Sequence, residues 1–203
     1  MLGIGARDVK LYFGHWQTLA IGIILVAFGF EGIRIINIVS NPYSYSMGVL
    51  LGAIVGFVAH ETAHREVARR QGCLAGFVLT TTGVTITLIS GVLRTIGLPI
   101  AILAPGYVTI ICQSPLFTTL PRREDLISGA GPAANIAIAY IAYLLLKLAK
   151  PEYQGLLAGI VDINAWLAFF NLLPLPPLDG SKLARENVLA WIALLVAALI
   201  LMT

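Results

Sequence analysis

The chain has 203 residues, of which 58% are hydrophobic and 11% charged, with a mean hydropathy of +0.89 and a net charge of +3. Soluble domains average about 45–50% apolar and about 25% charged residues, so this composition excludes a soluble enzyme, a disordered chain and a collagen-like fibre. It indicates an integral membrane protein with little mass outside the bilayer, and the scattered basic residues exclude nucleic acid as a partner.

A hydrocarbon core about 30 Å thick takes about 20 helical residues. In chain order, the first span is predicted over about 16–39. It follows Arg7, Asp8 and Lys10, and is too long for a signal-peptide core, so it reads as a retained helix. The second covers about 47–70, with polar last turns. Residues 71–121 are broken: 77–87 is rich in Thr, Val and Ile and reads as strand, while 91–111 is apolar but interrupted by Arg94, Gly97, Pro99, Pro105 and Gly106. A strand hairpin with a short helix or re-entrant loop is expected there, the alternative being a pair of extra spans. A third span follows over about 126–148, a fourth over about 154–173, and a short fifth over about 187–203. The fold class is therefore an all-α polytopic membrane protein, a single domain over 1–203. It has about five transmembrane helices and a membrane-associated strand or re-entrant segment after the second. Cys73 and Cys112, with no CxxC, are expected to be reduced thiols.

Charge sets orientation. With five spans, the N-terminal side receives Arg7, Lys10, Arg65, Arg69, Arg70, Arg94, Arg122, Arg123, Lys182 and Arg185, while Lys147 and Lys150 fall on the other. The positive-inside rule makes the N-terminal side cytoplasmic, and the cell membrane is the expected location.

The second span carries His60-Glu61-Thr62-Ala63-His64. Residues four apart share one helix face, so two imidazoles can bind one Zn²⁺ while Glu61, beside it, can take a proton from water. A shuffled chain of this composition yields about 0.001 such matches, so the motif is specific. Ionisable groups inside a span are expensive and need partners. Catalytic zinc sites usually have three protein ligands. Asp179, where prolines break the chain after the fourth span, is a better third ligand than His15, whose bland reading is a solvated interface residue. Asp162 lies about 26 Å before Asp179 along a continuous helix and cannot share the metal. A helix–helix hydrogen bond with a neighbour such as Asn164 suits it better. Both motif-bearing ends reach the N-terminal side of the membrane. Gly129, Gly131 and the alanines near them suit close helix packing. Asn135, an amide inside the third span, suits either a packing partner or a donor to a developing oxyanion.

Together, His60-Glu61-x-x-His64, Gly131-Pro-x-x-Asn135 and Asn171-x-x-Pro174 followed by Pro177-Leu-Asp179-Gly180 resemble the site-2 protease family of intramembrane zinc metalloproteases. The likeness covers about residues 47–185. It implies one Zn²⁺ per chain held by His60, His64 and Asp179, Glu61 as catalytic base, and Asn135 and Asn171 holding substrate or oxyanion. It also implies a transmembrane peptide of another membrane protein as substrate, cleaved within the lipid bilayer. The competing readings are a metal-ion transporter using the same ligands and a non-catalytic membrane scaffold.

Overall fold

The computed structural model describes residues 10–11, 15–112 and 123–203. Arg7 and Arg122 of the charge tally, and the His15 side chain, lie outside the described residues. The elements run β1 (Lys10–Leu11), α1 (His15–Glu31), a 3₁₀ segment (Gly32–Val39), α2 (Tyr45–Arg70), β2 (Cys73–Thr80), α3 (Thr81–Thr95), β3 (Gly106–Cys112), α4 (Glu124–Leu148), α5 (Pro151–Asn171), α6 (Asp179–Glu186) and α7 (Val188–Leu201). Among the described residues four segments are long and apolar enough to cross a membrane: Trp16–Val39, Tyr45–Arg70, Glu124–Leu148 and Pro151–Asn171. The architecture is an all-α polytopic membrane protein with a small three-stranded sheet. The predicted fifth span falls short. At 14 residues, α7 reaches about 21 Å.

Helix boundaries follow local chemistry. Helix α1 stops at Gly32, whose φ of +67° is the left-handed conformation that ends helices, and a Cβ there would also strike the Gly91 carbonyl and Thr95. Helix α2 starts where the Ser44 hydroxyl accepts the Met47 amide, and α5 starts with Pro151 in its first turn.

Helices α2, α4 and α5 form the centre. Helix α2 carries Gly48, Gly52, Gly56, His60, His64 and Ala68 in one four-residue row, all buried. A Cβ on Gly48 would strike the Leu156 carbonyl, and one on Gly52 would meet Ile163 Cγ2 at 2.5 Å. Glycines thus let α5 lie directly on α2, as small residues do between helices in lipid. Around this centre, Ile141, Leu144, Leu145 and Leu148 of α4 and Leu189, Ile192, Val196 and Ile200 of α7 remain exposed, as an acyl-chain boundary requires. Asp162 makes a helix–helix hydrogen bond, but to Tyr45 rather than Asn164: the phenol donates to its Oδ2 at 2.8 Å.

The broken region resolves as a hairpin around a re-entrant excursion. Strands β2 and β3 pair antiparallel from Cys73↔Cys112 to Leu79↔Gly106. Between them α3 descends along α1, the chain turns at Ile96–Gly97, and residues 98–105 return without regular secondary structure. The strand expected over 77–87 ends at Thr80, because the Thr80 hydroxyl caps α3 by accepting the Gly83 amide. The returning backbone stays satisfied at membrane depth. Ser90 Oγ accepts the Ile102 amide and Thr87 Oγ1 the Ala104 amide, while Trp166 Nε1 donates to the Ala101 carbonyl.

This excursion corrects two expectations. Arg94 donates to the Phe30 carbonyl at the far end of α1, so it belongs to the side opposite the N-terminus. The basic excess on the N-terminal side survives that move. Cys73 and Cys112 form a disulfide rather than free thiols. They lie 39 positions apart, and only the β2–β3 register places them opposite each other.

Candidate metal centre

His60 and His64 face α4 and the start of α6 from the last turns of α2. Both are buried, at 6% and 1% exposure. His60 Nδ1 lies 2.6 Å from Asn135 Oδ1, and His64 Nδ1 lies 2.6 Å from the Ile127 carbonyl. Both partners are acceptors, so each Nδ1 donates, and each neutral ring turns the lone pair of Nε2 the other way. The two Nε2 atoms lie 3.0 Å apart, and Asp179 Oδ2 lies 3.0 Å from one and 3.4 Å from the other.

Three acceptors thus converge with no donor among them, an arrangement that a cation completes. Zn²⁺ bonds of about 2.0–2.1 Å in a tetrahedron put ligand atoms about 3.3 Å apart, close to these separations. The donor set of two imidazoles and one carboxylate suits Zn²⁺. The space is also kept open by a missing side chain. A Cβ on Gly131 would meet His60 Nε2 at 2.6 Å and press on His64 Nε2, filling the position of an ion.

Asp179 arrives from a separate turn. It opens α6 after the Pro174–Leu178 loop, and its placement needs Gly180, where a Cβ would strike the Leu172 carbonyl. Trp191 Nε1 donates to that same carbonyl at 2.7 Å, tying α7 to the loop. Further back, Asn187 caps α7 and donates to Asp125, which Arg123 also holds.

Glu61 and Asn171 face neighbouring space. A small cavity is lined by His60, Glu61, Phe77, Asn171, Asp179 and Lys182, among others. A second brings Phe57, Leu103 and Gly106 together with His60, Glu61 and Asn171. The Asn171 amide donates back to the Leu167 carbonyl. Asn135 is fully buried and its amide is fully used. Its Oδ1 takes His60, and its Nδ2 donates to the Gly56 carbonyl at 3.1 Å and to Asn164 Oδ1 at 2.9 Å. No N–H of Asn135 is left for an oxyanion. Sequence reasoning gave Gly131 a packing role and Asn164 to Asp162, and missed the Ile127 carbonyl and Phe77 as parts of this neighbourhood. The four-residue row of glycines running into the histidines was the available signal for a helix face pressed against its neighbours.

The fold and this centre define a polytopic membrane protein in which two buried histidines and a partly buried aspartate could hold a metal ion beside a glutamate. Comparison with known proteins agrees. The chain is 36% identical over 138 residues to the Methanocaldococcus jannaschii protein named "Putative zinc metalloprotease MJ0611", covering 67% of this chain and 68% of that one. It is 30% identical over 170 residues to YwhC of Bacillus subtilis, with 72% of each covered, and 28% identical over 182 residues to Rip3 of Mycobacterium tuberculosis, covering 84% of this chain and 39% of that one. Both carry the same designation. No family model and no solved structure matches the chain. The chain belongs to the family of zinc metalloproteases that these relatives represent.

Proposed function

We propose that the protein is an intramembrane zinc metalloprotease of the site-2 protease type. It hydrolyses peptide bonds within transmembrane segments of membrane-protein substrates. The observation that carries this reading is the convergence of Asp179, at the start of α6, on His60 and His64 of a helix apolar enough to cross a membrane, with Glu61 lining the same cavity. His60, His64 and Asp179 would hold one Zn²⁺. Bound there, the ion supplies Lewis-acid activation of water and of the scissile carbonyl.

The chain's own residues supply the rest. Glu61 accepts the proton of the attacking water and returns it to the leaving amine. Gly131 keeps the ion's place clear. Asn171 lines the cavity in which the scissile bond would lie, where its amide can orient the substrate. Asn135 orients His60 instead of touching substrate. A substrate helix must unwind before its carbonyls are free. Among the described residues β2 pairs with β1 at Lys10↔Thr80 and Leu11↔Leu79, and the cavity beside its Ala75–Phe77 stretch also touches Glu61. An unwound segment could pair with this small sheet as an added strand. The surplus of Lys and Arg on the N-terminal side supports a metal centre opening toward the cytoplasm.

The test uses purified protein, zinc analysis and single-span substrates. Glu61→Ala should retain one zinc per chain and lose cleavage by about 10²–10⁴-fold. Cleavage at the wild-type rate by that variant would sink the protease reading and favour a metal transporter, which has no use for a base beside its ion.

A further inference from the structure

A hydrogen-bonded chain with a fixed direction crosses the three central helices behind the metal centre. At its far end, Asn164 Nδ2 donates to two backbone carbonyls, Ile160 at 2.9 Å and Gly52 at 3.1 Å. Carbonyls can only accept, so the amino group of Asn164 must lie there and its oxygen must face the other way. That oxygen meets Asn135 Nδ2 at 2.9 Å. The second hydrogen of this nitrogen goes to a third carbonyl, Gly56, at 3.1 Å. Asn135 is thereby held with its own oxygen toward His60 Nδ1, at 2.6 Å. Flipping either amide would set oxygen against carbonyl oxygen at 0% exposure, where no water repairs the loss.

We propose that Asn164 is a positioning residue for the metal centre: it fixes the Asn135 amide in the one orientation that holds His60 with its proton on Nδ1 and its Nε2 lone pair toward the ion. Three backbone carbonyls of α2 and α5 therefore set the tautomer of an imidazole two side chains away. The glycines of α2 make room for this. A Cβ on Gly56 would strike Asn164 Oδ1, and one on Gly52 would crowd Asn164 Nδ2 at 3.2 Å. His64 has no such relay, because the Ile127 carbonyl holds it directly and a carbonyl has only one way to face. The inference rests on reading His60 as a metal ligand. It does not depend on what the centre cleaves.

The test compares zinc affinity, by chelator competition on the full-length chain, in two backgrounds. Asn164→Ala should weaken zinc about tenfold to a hundredfold, the usual effect of losing an outer partner of a ligating histidine. In an Asn135→Ala background the link from Asn164 to His60 is already cut, so Asn164→Ala should cost less than threefold. An equal loss in both backgrounds would assign Asn164 to packing and overturn the proposal, as would no loss in either. A separate readout needs neither zinc nor a variant: ¹⁵N-histidine spectra of the metal-free wild-type chain should show His60 as the Nδ1–H tautomer. An Nε2–H signal from His60 overturns the proposal even if Asn164→Ala fails to fold. Wild-type protein that takes up no zinc would defeat the metal-centre reading instead, and the His60 spectrum would still decide the role of Asn164.

Discussion

Gly131 does more for this protein than its missing side chain suggests. Helix α4 passes so close to His60 and His64 that one methyl group would occupy the space of an ion. Gly131→Ala should therefore reduce bound zinc from one per chain to a small fraction. Alanine is the better helix former, so the fold should remain. Metal analysis beside circular dichroism checks both statements. At this scale the candidate ligands on α2 were legible, because two histidines four apart with a glutamate between them mark a possible metal site within one helix turn. The acceptors behind the histidines were not legible. Asn135 and the Ile127 carbonyl lie 75 and 63 positions from the rings they hold, and no local pattern announces such a pairing.

Among the elements, α2 and α5 show how close approach is built. Gly52→Val would force a branched side chain into Ile163 and the α5 backbone at Ile160, destabilising the bundle by about 1–3 kcal/mol. Gly76→Val is the matched control, since a Cβ there meets nothing within 4 Å. Thermal unfolding in detergent should separate the two. The long helices were legible, because apolar length alone marks a span. Helix α3 was misread. Its Thr, Val and Ile content favours strand, but propensity loses here to packing. Thr80 caps the helix, Thr87 and Ser90 are buried, and Gly91 lets α3 lie against Phe28 of α1. The hairpin on either side of α3 was foreseen, although its disulfide was not.

For the whole molecule, the metal centre joins parts that the sequence keeps separate. It would take two ligands from α2 and one from α6, with α4 as the wall beside them. An ion that binds only the folded arrangement stabilises it, by about 4 kcal/mol at a thousandfold excess over its dissociation constant. Chelation should lower the unfolding temperature and abolish cleavage, and added Zn²⁺ should restore both. Asp179→Asn should shrink the zinc-dependent rise in that temperature, as calorimetry would show.

The sequence by itself determined the class of molecule, the four long spans and the candidate ligand pair on α2. Those properties are written in composition and in repeats no longer than a helix turn. Only the tertiary structure decided that Asp179 stands 3.0 Å from a histidine 115 positions earlier, that Cys73 and Cys112 are joined, and that Asn135 turns its oxygen toward His60. The reason is physical. Each of these depends on which faces glycine lets touch and on where buried carbonyls send their hydrogen bonds, and both are fixed only when distant segments pack.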